Sequence, residues 1–182
     1  MHADGDDDAA LLHYSEDPHI ERFVPHVPAT NPDQPPSVWA IDAAHAALYW
    51  FPRDCPRVTV WADDPDQRAT LATLFATTAW RLHAAETVWQ ERIRTVELYE
   101  YSLPRATFRP WAEAHGQWIS SATVTPLAVR PVGDLVARHA AAGIDLRLVP
   151  DLWPLRDLVL AAGLPFSIVR MRNARPRGTL GG

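Results

Sequence analysis

The chain of 182 residues carries 22 acidic and 17 basic side chains, for a net charge of −5. This balance argues against non-specific nucleic-acid binding through a broad basic face. All 17 basic residues are arginine, which excludes lysine Schiff-base chemistry and the phosphate-binding lysine of P-loops.

Several segment types that would place the chain in or across a membrane are missing from the sequence. No run approaches eighteen apolar residues, so no transmembrane helix and no membrane partner are expected. The acidic N-terminus lacks the basic start and apolar centre of a signal peptide. The single cysteine, Cys55, cannot form an internal disulfide. We therefore expect a cytoplasmic protein and leave its oligomeric state open.

The composition along the chain predicts one domain with two loosely held ends. Residues 1–10 are rich in aspartate and are expected to form a disordered leader, and residues 174–182 a flexible tail. A single domain is expected over residues 11–173. Its first element is a strand at Leu11–Ser15, followed by an extended loop at 25–36, which contains five prolines.

The stretch 37–62 contains the clearest local signals. Val38–Ile41 is short, apolar and typical of a strand, and Asp42 is a good N-cap for the small-residue helix Ala43–Trp50. Pro52 ends that helix because proline has no N–H to donate. Val58–Ala62, with alternating Val and Trp, predicts the next strand.

The remaining elements follow from apolar periodicity, caps and glycine stops. The sequence predicts helices from about 67 to 75, at Ala84–Arg94, from Asp134 to Ala142 and at Leu152–Ala162, and strands at 77–82, 95–103, 118–132, 146–149 and 166–171. Such a mixture of irregularly spaced strands and helices indicates an α+β fold rather than a doubly wound sheet.

Motifs for common catalytic or metal sites are missing. Eight histidines occur without HExxH spacing, and one cysteine cannot supply a structural zinc site. His83 and Glu86 are three residues apart, a spacing that would place them on one face of a helix. Neither GxGxxG nor GxSxG is present. We therefore expect no metal, no Rossmann dinucleotide site and no serine nucleophile.

An ordered series of residues remains. A strand histidine, His13, is followed by Tyr14 and a proline-rich loop; Trp39 then lies near the end of a strand, and the aromatic pair Tyr49 and Trp50 at the end of its helix. This series resembles the ADP-ribosyltransferase-like superfamily. The resemblance implies NAD, or a related nucleotide, as cofactor. It also implies that His13 contacts the ribose and that Trp39 with Trp50 or Tyr49 encloses the nicotinamide.

In that superfamily a glutamate on a late strand stabilises the positive charge that develops at the ribose. Residues 115–126 contain no acidic residue, which leaves Glu97, Glu100 and Glu113 as candidates. Glu100 shares a strand face with apolar Val96 and Leu98. A carboxylate in such surroundings is expected to pair with an arginine or to lie at a site. Glu100 is therefore the predicted catalytic residue.

The predicted architecture is a single α+β domain in which a twisted, mostly antiparallel sheet splits around a cleft, with flanking helices. The leading hypothesis is an ADP-ribosyltransferase-like domain that binds a small-molecule nucleotide and cleaves the nicotinamide glycosidic bond. The alternative is a non-enzymatic binding or interaction protein whose aromatic residues form the core. The segments HYSED, VWAID and LPFSIVRMR also look like those of an uncharacterised family of small bacterial proteins.

Overall fold

The computed structural model describes residues 10–27 and 33–178. The predicted leader, apart from its last residue, and the end of the predicted tail lie outside these ranges. The described residues form two compact units, and each unit is taken by itself below. The first contains the described residues up to Tyr49 together with Glu97–Val132, and the second contains Trp50–Val96 together with the described residues from Gly133 onward.

The described strands are, in chain order, β1 (Leu11–Ser15), β2 (Val38–Ile41), β3 (Arg57–Trp61), β4 (Arg81–Glu86), β5 (Tyr99–Leu103), β6 (Arg109–Pro110), β7 (Gln117–Ser120), β8 (Ala128–Pro131), β9 (Asp145–Val149) and β10 (Phe166–Val169). The α-helices are α1 (Pro65–Phe75), α2 (Gln90–Thr95), α3 (Leu135–Ala141) and α4 (Trp153–Ala161). Short 3-10 helices cover Ala43–Tyr49, Thr87–Trp89, Arg105–Thr107 and Met171–Asn173.

The first unit is built on a six-stranded antiparallel sheet with the strand order β6-β7-β2-β1-β5-β8. Side chains alternate between the two faces of each strand, so the register decides which residues meet. One face carries a core cluster, called here the first-unit core, formed by Leu11, Phe23, Val38, Ala40, Tyr101, Leu103, Phe108 and Val124. The opposite face carries Tyr14 and its register partner Glu100.

The second unit is built on a four-stranded sheet with the order β10-β3-β4-β9, in which β9 runs parallel to β4. Alternation places Val58, Val60, Leu82 and Ala84 on one face, where they pack with buried residues of α1 and α4. His83 and its partner Thr59 lie on the other face. The two faces of this sheet therefore have different neighbours.

The predicted α+β class is confirmed, with a mostly antiparallel six-stranded sheet and a second sheet of four strands. The strands Leu11–Ser15 and Val38–Ile41 have their predicted bounds. Asp42 caps the following helix by accepting from the backbone N–H of His45. That helix is of the 3-10 type.

The predicted helix Ala84–Arg94 is wrong in its first part. Residues Arg81–Glu86 form β4, which pairs with β3 on one side and with β9 on the other. Five of its six residues are buried, because both faces of this central strand are covered. Tertiary pairing here overrides the helix propensity of alanine and glutamate. In the described ranges, no helix has the length and apolar character needed to cross a bilayer.

Candidate functional site

His13 lies on the same sheet face as the first-unit core. It pairs with Tyr101 across β1 and β5, and its ring centroid is 4.7 Å from that of Phe23. Its Nδ1 donates to the backbone carbonyl of Trp39 at 2.9 Å. The carbonyl fixes the ring orientation, so the position of His13 is set by β2.

Trp39 points to the opposite face from His13. The pairing of Leu12 with Ile41 places Trp39 beside Tyr14, not beside His13. The indole ring of Trp39 meets Trp111 edge-on, with centroids 5.7 Å apart. The predicted contact residues His13 and Trp39 are therefore joined by a backbone hydrogen bond, while their side chains lie on different faces.

Tyr49 meets an aromatic partner that the sequence analysis did not select. Its ring is nearly parallel to that of Tyr14, with an interplanar angle of 4° and centroids 6.4 Å apart. Gln117 Nε2 donates to the Tyr49 hydroxyl at 2.9 Å. Both tyrosines are half-buried. The parallel pair in the first unit is thus Tyr14 with Tyr49, rather than Trp39 with Tyr49.

Glu100 is the best buried of the three candidate acids, with 2% of its surface exposed. The Tyr14 hydroxyl donates to Oε2 at 2.6 Å, and Arg130 Nε donates to Oε1 at 2.7 Å. A second guanidinium nitrogen of Arg130 also contacts Oε1. Glu97 and Glu113 are exposed. The expectation that a buried Glu100 pairs with an arginine agrees with this geometry.

These contacts form one continuous group, called here the tyrosine row: Gln117, Tyr49, Tyr14, Glu100 and Arg130. The row spans β7, β1, β5, β8 and the end of the 3-10 helix. It offers two aromatic faces, two fixed hydroxyls and a carboxylate neutralised by an arginine. Such a group suits recognition of a planar polar ligand.

Trp50 belongs to the second unit. The Arg138 guanidinium lies 4.4 Å from its ring centroid, and the His139 ring meets it edge-on at 5.7 Å. These neighbours hold Trp50 against α3. The structure thus assigns the two members of the Tyr49–Trp50 pair to different units, which the sequence could not indicate.

A second polar group occurs at the start of the 3-10 helix. Asp42 Oδ1 accepts from both the backbone N–H and the Nδ1 of His45, the latter at 2.8 Å. The rings of His45 and His115 are stacked, with centroids 6.4 Å apart. The carboxylate fixes the tautomer and orientation of His45. The signal for this arrangement was the N-cap aspartate three residues before a histidine.

The pair His83 and Glu86 lies on a strand, so its three-residue spacing places the two side chains on opposite faces rather than together. Among the residues that the structure describes, no group of three or more His, Cys, Asp or Glu side chains is arranged to hold a metal ion. Cys55 is fully buried, and burial raises the pKa of its thiol to about 12.

Comparison with known proteins gives a match to a protein family. No curated protein and no solved structure matches the chain. A family described as a family of unknown function, DUF6886, matches residues 12–174. This range begins within β1 and ends after the last 3-10 helix, so it includes every residue of the tyrosine row. The chain therefore belongs to the DUF6886 family.

Proposed function

We propose that the first unit binds a small ligand with a planar ring at the tyrosine row, and that NAD or a related nucleotide is this ligand. The observation that supports the proposal most directly is the parallel arrangement of Tyr14 and Tyr49, with centroids 6.4 Å apart. A ring stacked between two others needs about 7 Å between the outer planes, twice a carbon–carbon contact distance. The ring planes of Tyr14 and Tyr49 lie no farther apart than their centroids, so the pair must widen to admit such a ring.

The electrostatics of the pair favour a cationic ring over a neutral one. The face of an aromatic ring is negative, so two such faces attract a flat cation. The hydroxyl of Tyr14 donates to the buried carboxylate of Glu100, which keeps electron density on the Tyr14 ring. Oxidised nicotinamide is a flat cation and the reduced ring is neutral. We therefore expect NAD in its oxidised form to bind more tightly than in its reduced form.

This proposal assigns the ligand contact to Tyr14 instead of His13. The resemblance to ADP-ribosyltransferases implied a ribose contact from His13, but that side chain lies on the face of the first-unit core and is held by the carbonyl of Trp39. Replacing His13 with alanine should therefore affect binding only through the backbone of β2. Replacing Tyr14 with alanine should remove one of the two aromatic faces.

Cleavage of the glycosidic bond by Glu100 is the reaction that the same resemblance implied. Tyr14 and Arg130 engage the two carboxylate oxygens separately, which supports binding without catalysis better than stabilisation of a developing cation. Release of free nicotinamide from NAD by the purified protein is the direct measurement. If the wild type releases it and Glu100→Gln does not, while both bind NAD, Glu100 is catalytic.

Binding is tested by calorimetric titration of the intact protein with oxidised NAD, reduced NAD and nicotinamide mononucleotide. We expect saturable binding that weakens at least tenfold in Tyr49→Ala and Tyr14→Ala. Tyr14→Phe keeps the ring but loses the hydrogen bond to Glu100, and should weaken binding less. Trp80→Ala, an exposed aromatic of the second unit, is the matched control. Heat signals that fail to saturate at millimolar NAD, or unchanged binding in Tyr49→Ala, would refute the proposal.

A further inference from the structure

Two histidines of the second unit are hydrogen-bonded to each other in its interior. His83 Nδ1, on β4, lies 3.1 Å from His139 Nε2, on α3. Neither residue has exposed surface. The ring of Phe51 packs against both, with centroids 5.8 Å from His83 and 5.2 Å from His139. The pair joins a central strand of the sheet to the helix that covers its face.

The direction of this hydrogen bond follows from a third atom. His139 Nδ1 lies 2.7 Å from the carbonyl oxygen of Leu135, which can only accept. Nδ1 therefore carries the proton, and Nε2 of the neutral ring accepts from His83 Nδ1. It follows that His83 Nε2 carries a lone pair. This atom is buried and has no hydrogen-bond partner.

The charged side chains that act on His83 are cations. Arg57 from β3 and Arg81 from β4 both act on His83. Arg138, on α3, stacks on Trp50, whose ring meets His139. On β9, the register partner of His83 is the apolar Leu146.

The nearest carboxylate on the same strand, that of Glu86, points to the other face of the sheet by alternation. The Cys55 thiol, whose pKa is raised to about 12, remains neutral. A proton added to His83 would therefore lie close to positive charge and apolar rings, while the charged residues of α2, which packs on α3, are exposed: Glu91, Arg92 and Arg94.

We propose that the His83–His139 pair is an acid-sensitive latch that holds α3 on the sheet of the second unit. Protonation of His139 Nε2 removes the acceptor and breaks the hydrogen bond. Protonation of His83 Nε2 places a buried cation beside Arg57 and Arg81 with no acceptor for its new N–H. Either event releases α3, which is a short helix and can open locally without unfolding the sheet.

The sign of the pH effect follows from the closed state. Burial is the largest cause that lowers the pKa of both histidines below the ordinary value of 6.5. The neutral pair, and with it the closed latch, is therefore fully favoured above pH 6.5. The closed state loses stability as the pH falls below 6.5, by up to tenfold in the opening constant per pH unit for each proton taken up.

Hydrogen–deuterium exchange of the full chain at pH 7.5 and 5.5, corrected for intrinsic exchange rates, tests the latch. We expect the protection of amides in Leu135–Ala141 to fall about tenfold or more at pH 5.5, while α1 and α4 on the other face keep theirs. His139→Gln keeps an acceptor for His83 but removes one of the two titrating rings, so the pH response of its α3 should be smaller than that of the wild type by the share of one proton. His45→Gln, in the first unit, is the control for histidine titration elsewhere.

The wild-type profile decides the question even if His139→Gln does not fold. Equal protection of α3 at both pH values would overturn the latch, and so would a loss of protection spread evenly over the second unit. A His139→Gln variant that folds and keeps the full pH response would overturn it as well.

Discussion

A β-carbon on Gly116 would lie 2.3 Å from Nδ1 of His45. The His45 ring therefore rests on the bare α-carbon of residue 116, while Asp42 Oδ1 holds the same nitrogen from another direction at 2.8 Å. The backbone N–H of Asp42 donates to the carbonyl of Gly116 at 2.9 Å. The absence of a side chain at 116 is what allows the Asp42–His45 group to form in its observed position.

We expect Gly116→Ala to destabilise the protein more than glycine conformation alone explains. Gly116 has a φ of +67°, which costs an L-residue about 1 kcal/mol. Displacement of His45 should add roughly 1–3 kcal/mol. Gly143→Ala is the matched control, since its φ is +65° and nothing lies within 4 Å of its added β-carbon. Urea denaturation measures the free energy of unfolding of both variants. Equal losses of stability in Gly116→Ala and Gly143→Ala would show that displacement of His45 does not destabilise the protein.

Glu100 and Arg130 are expected to depend on each other for stability. Arg130→Ala leaves a carboxylate that is 2% exposed without its guanidinium partner, and should cost about 1–3 kcal/mol. The exposed position of Arg130 keeps this below the cost of breaking a fully buried ion pair. Glu100→Gln combined with Arg130→Ala should lose less than the sum of the two single changes.

A double-mutant cycle from chemical denaturation gives this coupling energy. The control carboxylate is Glu97, which is exposed on the segment before β5. Glu97→Gln should change stability by less than about 0.5 kcal/mol and should add independently to Arg130→Ala. Additive losses for Glu100→Gln and Arg130→Ala would contradict the coupling.

The thiol of Cys55 should be unreactive towards alkylating reagents in the folded protein. Burial raises the pKa of its thiol to about 12, and the residue has no exposed surface. At pH 8 a thiol with that pKa is roughly one part in ten thousand thiolate, which is the reactive form. Iodoacetamide followed by mass spectrometry should therefore show little modification of the native protein and complete modification in urea. Rapid native labelling would mean that the loop at 52–56 opens.

The segment after the last 3-10 helix is attached to the second unit through a backbone donor. Both carboxylate oxygens of buried Glu86 accept from the backbone N–H of Arg175 at 3.1 Å. Arg175→Pro removes that N–H and should cost about 1–3 kcal/mol, because a buried carboxylate loses a donor. Arg175→Ala keeps the N–H and should cost less. Thermal denaturation compares the two variants. Equal melting temperatures would show that the hydrogen bond from the Arg175 N–H to Glu86 does not stabilise the second unit.

Local signals predicted the elements whose pattern is complete within a few residues. The strand at Leu11–Ser15 and the cap at Asp42 are such cases, since alternation and a single polar side chain define them. The segment 81–86 failed because its two alanines and its glutamate are equally compatible with a helix. Only the pairing with β3 and β9 makes it a strand.

The site residues illustrate the same limit over longer distances. Alternation along β1 does predict that His13 and Tyr14 face opposite ways. The sequence does not reveal that Tyr14 is paired with Glu100, 86 positions later, or that Tyr49 lies over Tyr14. The sequence around His13 and Tyr14 does not indicate which of the two side chains contacts a distant carboxylate. The register of β1 with β5 determines that contact.

The division of the chain into two units has a consequence for synthesis on the ribosome. Each unit combines two segments that are separate in the sequence. The later segment of the first unit ends at Val132, and the later segment of the second unit begins at Gly133. Strand β1 therefore waits for β5, its partner some 90 residues later, and β3 waits for β10. Neither sheet can be completed while its later strands are still being translated. Because β1 also pairs with β2 and β3 with β4, each of these strands keeps one edge unpaired until its later partner is translated, and chaperones have access to that edge meanwhile.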